Sequence, residues 1–226
     1  MRDLPDPTTY DATRDRVAGY FDGTATRVWE RLTSDAPVSR VRATVRAGRD
    51  SMRALMLARL PDDLRGARVL DAGCGTGAAT AELAARGAQV VAVDISPRLL
   101  EIGADRLDPR LRDRVEFRAG DMLDPALGRF DAVIAMDSLI YYTESDLRRA
   151  LSGLAARSGQ TVFTVAPRTP LLMAMWHAGR LFPRSDRSPT MIPQDWQRLG
   201  QGLPSLGRVG RVARGFYISE CLELRA

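Results

Sequence analysis

Val69-Leu70-Asp71-Ala72-Gly73-Cys74-Gly75-Thr76-Gly77 is the stretch that decides the fold. A short apolar run leads into three glycines at alternate positions, which describes a strand breaking into a loop that enters a helix. Glycine lacks Cβ, so the loop can take positive φ and a bulky ligand can lie against its amides. The spacing is G-x-G-x-G with Asp71 ahead of it. The dinucleotide fingerprint is G-x-G-x-x-G without that aspartate, so the loop points away from nicotinamide cofactors. Glycines also gather in ordinary turns, and the loop gains meaning only from its surroundings.

Residues 89 to 93, Q-V-V-A-V, form a second apolar run. Asp94 follows it at the distance where a doubly wound fold places the carboxylate that holds a ribose diol. A third run, 115 to 118, ends in Ala119-Gly120-Asp121-Met122, a carboxylate beside an apolar wall. Helical patterns over 76 to 86, 97 to 107 and 144 to 156 alternate with further strands at 130 to 136 and 161 to 166. Pro97 suits the first turn of its helix. Such βαβ alternation predicts an α/β, Rossmann-like, seven-stranded, mostly parallel sheet with an antiparallel last strand. Two final strands are expected over 203 to 210 and 214 to 224, joined through glycines into a hairpin.

Ahead of this core, residues 1 to 12 read as an unstructured lead with two prolines. From Thr13 to Leu32 the apolar residues Val17, Tyr20, Phe21, Val28 and Trp29 keep helical spacing, with Gly19 and Gly23 marking a break. Val41, Val45, Met52, Leu55 and Met56 predict an amphipathic helix with arginines between, packed on the sheet or facing a membrane. The organisation expected is a helical arm or lid over 1 to 60 and a catalytic domain over 61 to 226. An insertion at about 167 to 200 holds His177, the sequence's sole histidine.

The chain has 45% hydrophobic and 27% charged residues, net charge +5 and two cysteines, Cys74 and Cys221. These values fit a soluble globular protein without a disulfide framework, and no apolar run approaches the roughly 18 residues of a spanning helix. The start M-R-D-L-P-D-P lacks a secretory signal's apolar stretch, so a cytoplasmic location is expected. The excess arginine suits carboxylates, nucleic acid or an anionic membrane face, and composition alone does not choose.

The Gly loop and the strand-end acids resemble the class I S-adenosylmethionine-dependent methyltransferases. The resemblance implies that Asp71 lies near the methionine ammonium, that Asp94 takes the ribose hydroxyls, and that Asp121 and Met122 border the adenine. It also carries Gly73, Gly75, Gly77, Ile95 and Asp137 into the cosubstrate set. Charge agrees: the cosubstrate has a sulfonium, an ammonium and a diol, which suit carboxylates.

A closer resemblance rests on Y-F-D-G-T-A-T-R-V-W-E-R (residues 20 to 31), D-S-L-I-Y-Y (137 to 142), H-A-G-R-L-F-P (177 to 183) and R-G-F-Y-I-S (214 to 219). Together these resemble the magnesium-protoporphyrin IX O-methyltransferases of bacteriochlorophyll and chlorophyll synthesis. That resemblance implies methylation of one propionate of the magnesium porphyrin, with the magnesium belonging to the substrate and no protein-bound metal. It also implies handover from the porphyrin-binding subunit of magnesium chelatase and peripheral contact with the photosynthetic inner membrane. A propionate titrates near the ordinary glutamate value of about 4.3 and is already anionic at neutral pH, so no general base is required.

Tyr20 and Tyr141 are the candidate catalytic residues, since a phenol can donate to the propionate or approach the magnesium while its ring supports the macrocycle. Tyr20 also reads as one apolar position of an amphipathic helix. Family members often carry histidine where Tyr141 stands, and tyrosine keeps a hydrogen-bonding role but not a basic one. His177 reads as a packing or capping residue rather than a magnesium ligand or acid/base group, and Arg184 and Arg187 as either propionate partners or a solvated loop. Competing functions are methyl transfer to another small acidic or phenolic acceptor and a non-catalytic porphyrin carrier. A nucleic-acid partner is not expected, because Asp137-Ser138-Leu139-Ile140 replaces the Asn/Asp-Pro-Pro-aromatic run of amino-group methylators.

Overall fold

The computed structural model describes residues 9–25, 33, 39–170, 172–174, 177, 189–203 and 205–225. A seven-stranded sheet runs in the order β3-β2-β1-β4-β5-β7-β6. Its strands are β1 (Arg68–Ala72), β2 (Gln89–Asp94), β3 (Val115–Ala119), β4 (Phe130–Ala135), β5 (Ser158–Val165), β6 (Leu206–Arg214) and β7 (Tyr217–Arg225). The first five pair in parallel, and β7 lies antiparallel between β5 and β6. Val69, Leu70 and Ala72 of the central β1 are fully buried, as expected of a strand covered on both faces. Strand order reverses at β1, which pairs with β2 on one side and β4 on the other, so the loops after β1 and β4 diverge. A ligand crevice belongs there.

The helices are α1 (Tyr10–Tyr20), α2 (Arg40–Leu57), α3 (Ala78–Ala85), α4 (Pro97–Arg106), α5 (Glu144–Ala155) and the short α6 (Trp196–Gly200). Polar side chains start several of them: Thr9 accepts from the Ala12 N–H, Ser39 from Arg42, and Thr143 from Asp146. Helix α2 covers one sheet face with Met52, Met56 and Leu57, all fully buried beside Val69, Val90 and Ile134. Burying each such side chain stabilises the fold by about 1.5–3 kcal/mol. Helix α5 covers the other face with Leu147, Leu151 and Leu154.

Three expectations need correction. Residues 10 to 12 are not an unstructured lead but the first turn of α1, because Tyr10 is buried against the sheet domain. The final hairpin turns at Gly215-Phe216 rather than around residues 211 to 213, and Gly210 instead sits at a register shift within β6. Strand β5 begins at Ser158, because Ser158 and Gln160 pair with Phe130 and Ala132 of β4. The break in the arm falls at Gly23, which leaves helical geometry (φ −96°, ψ −106°) inside the turn Phe21–Ala25, while Gly19 stays helical. Residues 26 to 31 of the quoted arm motif lie outside the described residues.

Candidate functional site

A cavity of about 340 Å³ opens at the reversal point. Of the residues expected at the site, Asp71, Gly73, Gly75, Asp94, Ile95, Met122, Asp137 and Tyr141 line it. Gly77, Asp121 and Tyr20 do not.

The floor is the loop after β1. Gly73 has φ +79°, and a Cβ there would stand 2.3 Å from the Ser138 Cβ, so only glycine lets the loops after β1 and β4 touch. The Ser138 hydroxyl closes that contact by donating to the Ala72 carbonyl at 2.7 Å. Gly75 has φ +55° with no atom within 4 Å of its missing Cβ, so its bare backbone faces open space. Gly77 is not among the lining residues. Its positive φ starts α3, and a Cβ would meet Gly103 and Phe117 at 3.6–3.7 Å, so it packs helix against helix.

Two buried carboxylates stand at this floor. The Thr80 hydroxyl donates to Asp71 at 2.6 Å, while Asp94 accepts from the Gly75 N–H at 2.8 Å and the Ser96 N–H at 2.9 Å. Burial pushes the Asp71 carboxyl up to about 6, the Thr80 bond opposing and the Asp94 charge adding. Burial likewise pushes Asp94 up to about 6, against the Ser96 and Gly75 amides, with Asp22 adding. A desolvated pair of acids gains most from a cationic ligand. Burial also raises the Cys74 thiol, so this cavity-lining sulfur stays protonated and is not a nucleophile.

The roof comes from distant parts of the chain. Asp137 sits at φ +56°, unusual for a residue with a Cβ, directly after β4. Arg49 of α2 pairs with it at 2.5 Å, Tyr217 donates its hydroxyl at 3.1 Å, and the Thr164 hydroxyl donates at 3.2 Å. Tyr141 lines the cavity beside this cluster, and burial followed by the Asp137 charge raises its phenol. It is therefore a neutral donor. Arg46, Arg49 and Arg53 of α2 also reach the wall. Their i, i+3, i+7 spacing is visible in the sequence, but there the apolar face of the helix is the stronger signal.

Asp121 is engaged elsewhere: it accepts from the Tyr10 hydroxyl at 2.7 Å, Arg14 at 3.1 Å and the Leu123 N–H at 2.8 Å. Tyr10 also stacks on Tyr142 at 4.7 Å, a contact that no local pattern announces. Gly120 and Met122, the neighbours of Asp121, line the cavity instead. Tyr20 packs edge-on to Phe21, beside the cluster of Val17, Leu99, Ile140 and Tyr141. Val17 and Phe21 present the arm's apolar surface to the cavity in its place. His177 is exposed, and Arg184 and Arg187 lie outside the described residues. Among the described residues, no cluster of three His, Cys, Asp or Glu side chains could hold a metal ion.

Residues 135–226 match the family described as "Magnesium-protoporphyrin IX methyltransferase C-terminus", and residues 69–157 match a general methyltransferase domain. A magnesium-protoporphyrin O-methyltransferase of Rhodobacter capsulatus is 62% identical over 97% of this chain and 99% of its own length. One from Synechocystis is 30% identical over 92% of this chain and 94% of its own. The crystal structure of a Synechocystis magnesium protoporphyrin IX methyltransferase with bound S-adenosylhomocysteine superimposes with a TM-score of 0.78. It is 28% identical and covers 94% of this chain and 99% of its own.

Proposed function

The chain belongs to the magnesium-protoporphyrin O-methyltransferase family, and we infer from that premise that it methylates a propionate of magnesium protoporphyrin IX. The methyl donor is S-adenosylmethionine, and the products are the monomethyl ester and S-adenosylhomocysteine. The observation that carries this reading is the pair of buried carboxylates, Asp71 and Asp94, on a glycine floor open to the cavity. A sulfonium with an ammonium and a diol supplies what they lack.

In the step itself, a lone pair of the propionate oxygen forms the O–CH3 bond while the C–S bond breaks and its electrons stay on sulfur. An anion and a sulfonium become a neutral ester and a neutral thioether. Excluding water therefore favours the transition state, and orientation is worth up to roughly 7–11 kcal/mol. In our reading Asp71 faces the methionine ammonium, Asp94 accepts from the ribose hydroxyls, and Ile95 with Met122 flanks the adenine. Gly73 and Gly75 give the backbone approach, while Gly77 and Asp121 shape the site from behind. Asp137 orders the loop that presents Tyr141, whose neutral phenol donates to the attacking carboxylate. Tyr20 acts through packing on Phe21, a support that keeps the arm's apolar side against the macrocycle. The arm of residues 1 to 60 serves as the lid, and the segment 167 to 200 as the substrate-side insertion.

We also propose a cytoplasmic protein that touches the photosynthetic membrane peripherally and receives its porphyrin from the chelatase subunit that binds it. Supporting the membrane contact, Phe216 is 71% exposed at the β6–β7 turn, which packs on Thr44 of α2 near the half-exposed Val41. Arg40, Arg42 and Arg214 are exposed in the same two elements, and among the described residues no helix is long and apolar enough to cross a membrane. Incubation with labelled S-adenosylmethionine and magnesium protoporphyrin should yield a labelled product heavier by one methyl group. An unmodified porphyrin by mass would defeat the reading.

A further inference from the structure

The loop after β2 reads Asp94-Ile95-Ser96-Pro97, and its serine serves two parts of the molecule at once. Pro97 opens α4 and Ser96 caps it, the Ser96 hydroxyl accepting from the Leu99 N–H at 3.4 Å. Ser96 also holds two carboxylates. Its N–H donates to Asp94 at 2.9 Å, and its hydroxyl donates to Asp22 at 2.6 Å, across 74 positions of sequence. Ser96 is fully buried, so water does not compete for either bond.

Asp22 belongs to the arm, in the turn Phe21–Ala25 that follows α1. Arg98 donates to the Asp22 carbonyl at 3.2 Å, and Val17 and Phe21 pack with Leu99, Ile140 and Tyr141. The end of α1 thus rests on the first turn of α4. Val17 and Phe21 line the cavity together with Asp94 and Leu99, so the arm rests on the same loop that offers Asp94 to the ribose. The two acids oppose each other there. Burial first, with the Asp22 charge adding, raises the Asp94 carboxyl against its amide partners. Repulsion is mutual, so a charged Asp94 weakens the hold on Asp22, and a cationic ligand beside Asp94 relieves it.

We propose that Asp22 is a positioning residue that seats the arm on the cosubstrate's own loop through Ser96, so that the arm closes more firmly over S-adenosylmethionine than over S-adenosylhomocysteine. The methylated cosubstrate carries one positive charge more than its product. Transfer of the methyl group turns the sulfonium into a neutral thioether, which withdraws the relief and loosens the seat. Closure and occupancy stabilise each other by one coupling free energy, so what the ligand does to the arm the arm does to the ligand. This rests on the proposed contact of Asp94 with the ribose.

The test follows hydrogen exchange in the whole protein without porphyrin, as wild type, Asp22→Asn and Ser96→Ala, with saturating S-adenosylmethionine or S-adenosylhomocysteine. In wild type, amides of residues 17 to 21 should exchange about three- to tenfold more slowly with the methylated ligand, the scale of one partly screened charge. Amides of residues 13 to 16, nearer the Tyr10–Asp121 bond, should differ less. Asp22→Asn keeps an acceptor for Ser96 and loses the charge, so the two ligands should protect the arm equally. Its calorimetric preference for the methylated ligand should shrink by a similar factor. Ser96→Ala removes the bond, and residues 17 to 21 should exchange fast with either ligand. The seat is overturned if wild type with both ligands bound shows no difference, or if Asp22→Asn keeps the difference. Full affinity for both ligands in Asp94→Asn would instead remove the ribose from Asp94, a separate result that takes the coupling with it.

Discussion

In the cavity floor the two carboxylates are held by near neighbours, the Gly75 N–H reaching Asp94 across 19 positions and the Thr80 hydroxyl reaching Asp71 across 9, and one longer contact, Ser138 to the Ala72 carbonyl across 66, closes the loop. In the roof the contacts join strangers. Tyr10 reaches Asp121 across 111 positions, Arg49 reaches Asp137 across 88, and Tyr217 reaches Asp137 across 80. The floor's two acids are thus the product of one βαβ unit, to which the loop after β4 adds the Ser138 contact. The roof is a set of pairwise bonds between elements distant in the sequence. A site that must admit a planar macrocycle and then exclude water has use for both kinds of construction.

If the floor is indivisible, its worst injury should be steric and global. Gly73→Ala forces a Cβ to 2.3 Å from Ser138 at φ +79°. Left-handed strain and overpacking together should cost about 2–5 kcal/mol, read as a lower denaturant midpoint. Gly75→Ala meets no atom within 4 Å and should cost only the strain, about 1–2 kcal/mol, while weakening cosubstrate binding. Equal melting of the two variants would break the idea that the loop contact at Gly73 holds the floor together.

The floor's acids should trade stability for binding. With Asp71 and Asp94 at about 6 in the folded protein and about 3.9 when unfolded, the folded state binds more protons between these values. Their contribution to stability is therefore greatest below about 4 and is lost as pH rises through about 6. Cosubstrate affinity should move oppositely, falling as pH drops below about 6 because the ligand needs the charged acids. Asp71→Asn should stabilise the ligand-free protein on the order of 1–3 kcal/mol at neutral pH while weakening S-adenosylmethionine by at least about tenfold. Thermal melts and calorimetry on the one variant decide it: a lower melting temperature with full affinity would remove Asp71 from the ligand's surroundings.

The same division explains what can be read from the residues alone. Asp71, the loop glycines and Asp94 are legible because strand, turn and helix signals fix their relative positions within one short βαβ unit. The parallel direction of the first five strands follows from alternation. Tyr10 escapes because a single aromatic after two prolines has no period, and its partners Asp121 and Tyr142 belong to other strand ends. Asp121 does stand at the strand end its spacing indicates, but only the tertiary structure shows α1 occupying it. The hairpin turn is hard to place because Gly207, Gly210 and Gly215 all read as breakers, whereas only Gly215 takes positive φ. The arginines of α2 look like a solvated face until the fold lays three of them along the cavity.

Within the roof, the bond at the strained strand end should outweigh the others. Arg49→Gln leaves Asp137 with Tyr217 and Thr164 but removes its ionic partner, both side chains being largely buried. A loss of roughly 1.5–3 kcal/mol is expected, with faster hydrogen exchange in α2 before any change in β1 or β2. Exchange that rises equally in α2 and the central strands would mean that roof and floor open as one unit.

The smallest effect tests the comparison most directly, because it concerns one hydroxyl. Tyr10→Phe keeps the stack on Tyr142 and deletes the bond to Asp121, which retains Arg14 and the Leu123 amide. A neutral donor lost from an acid that keeps two partners should cost about 0.5–1.5 kcal/mol. Burial and Asp121 hold the Tyr10 phenol protonated well above its ordinary range, so the effect should be constant from neutral to mildly alkaline pH. If the roof is a set of separate latches, the cost appears as local opening of α1. Amides of residues 13 to 20 should then exchange several-fold faster, while those of β1 and β2, global stability and cosubstrate affinity stay close to wild type. Should the variant instead lower global stability by the full amount with no local change in α1, that helix would be part of the floor's cooperative unit. The arm would then not open on its own to admit a porphyrin.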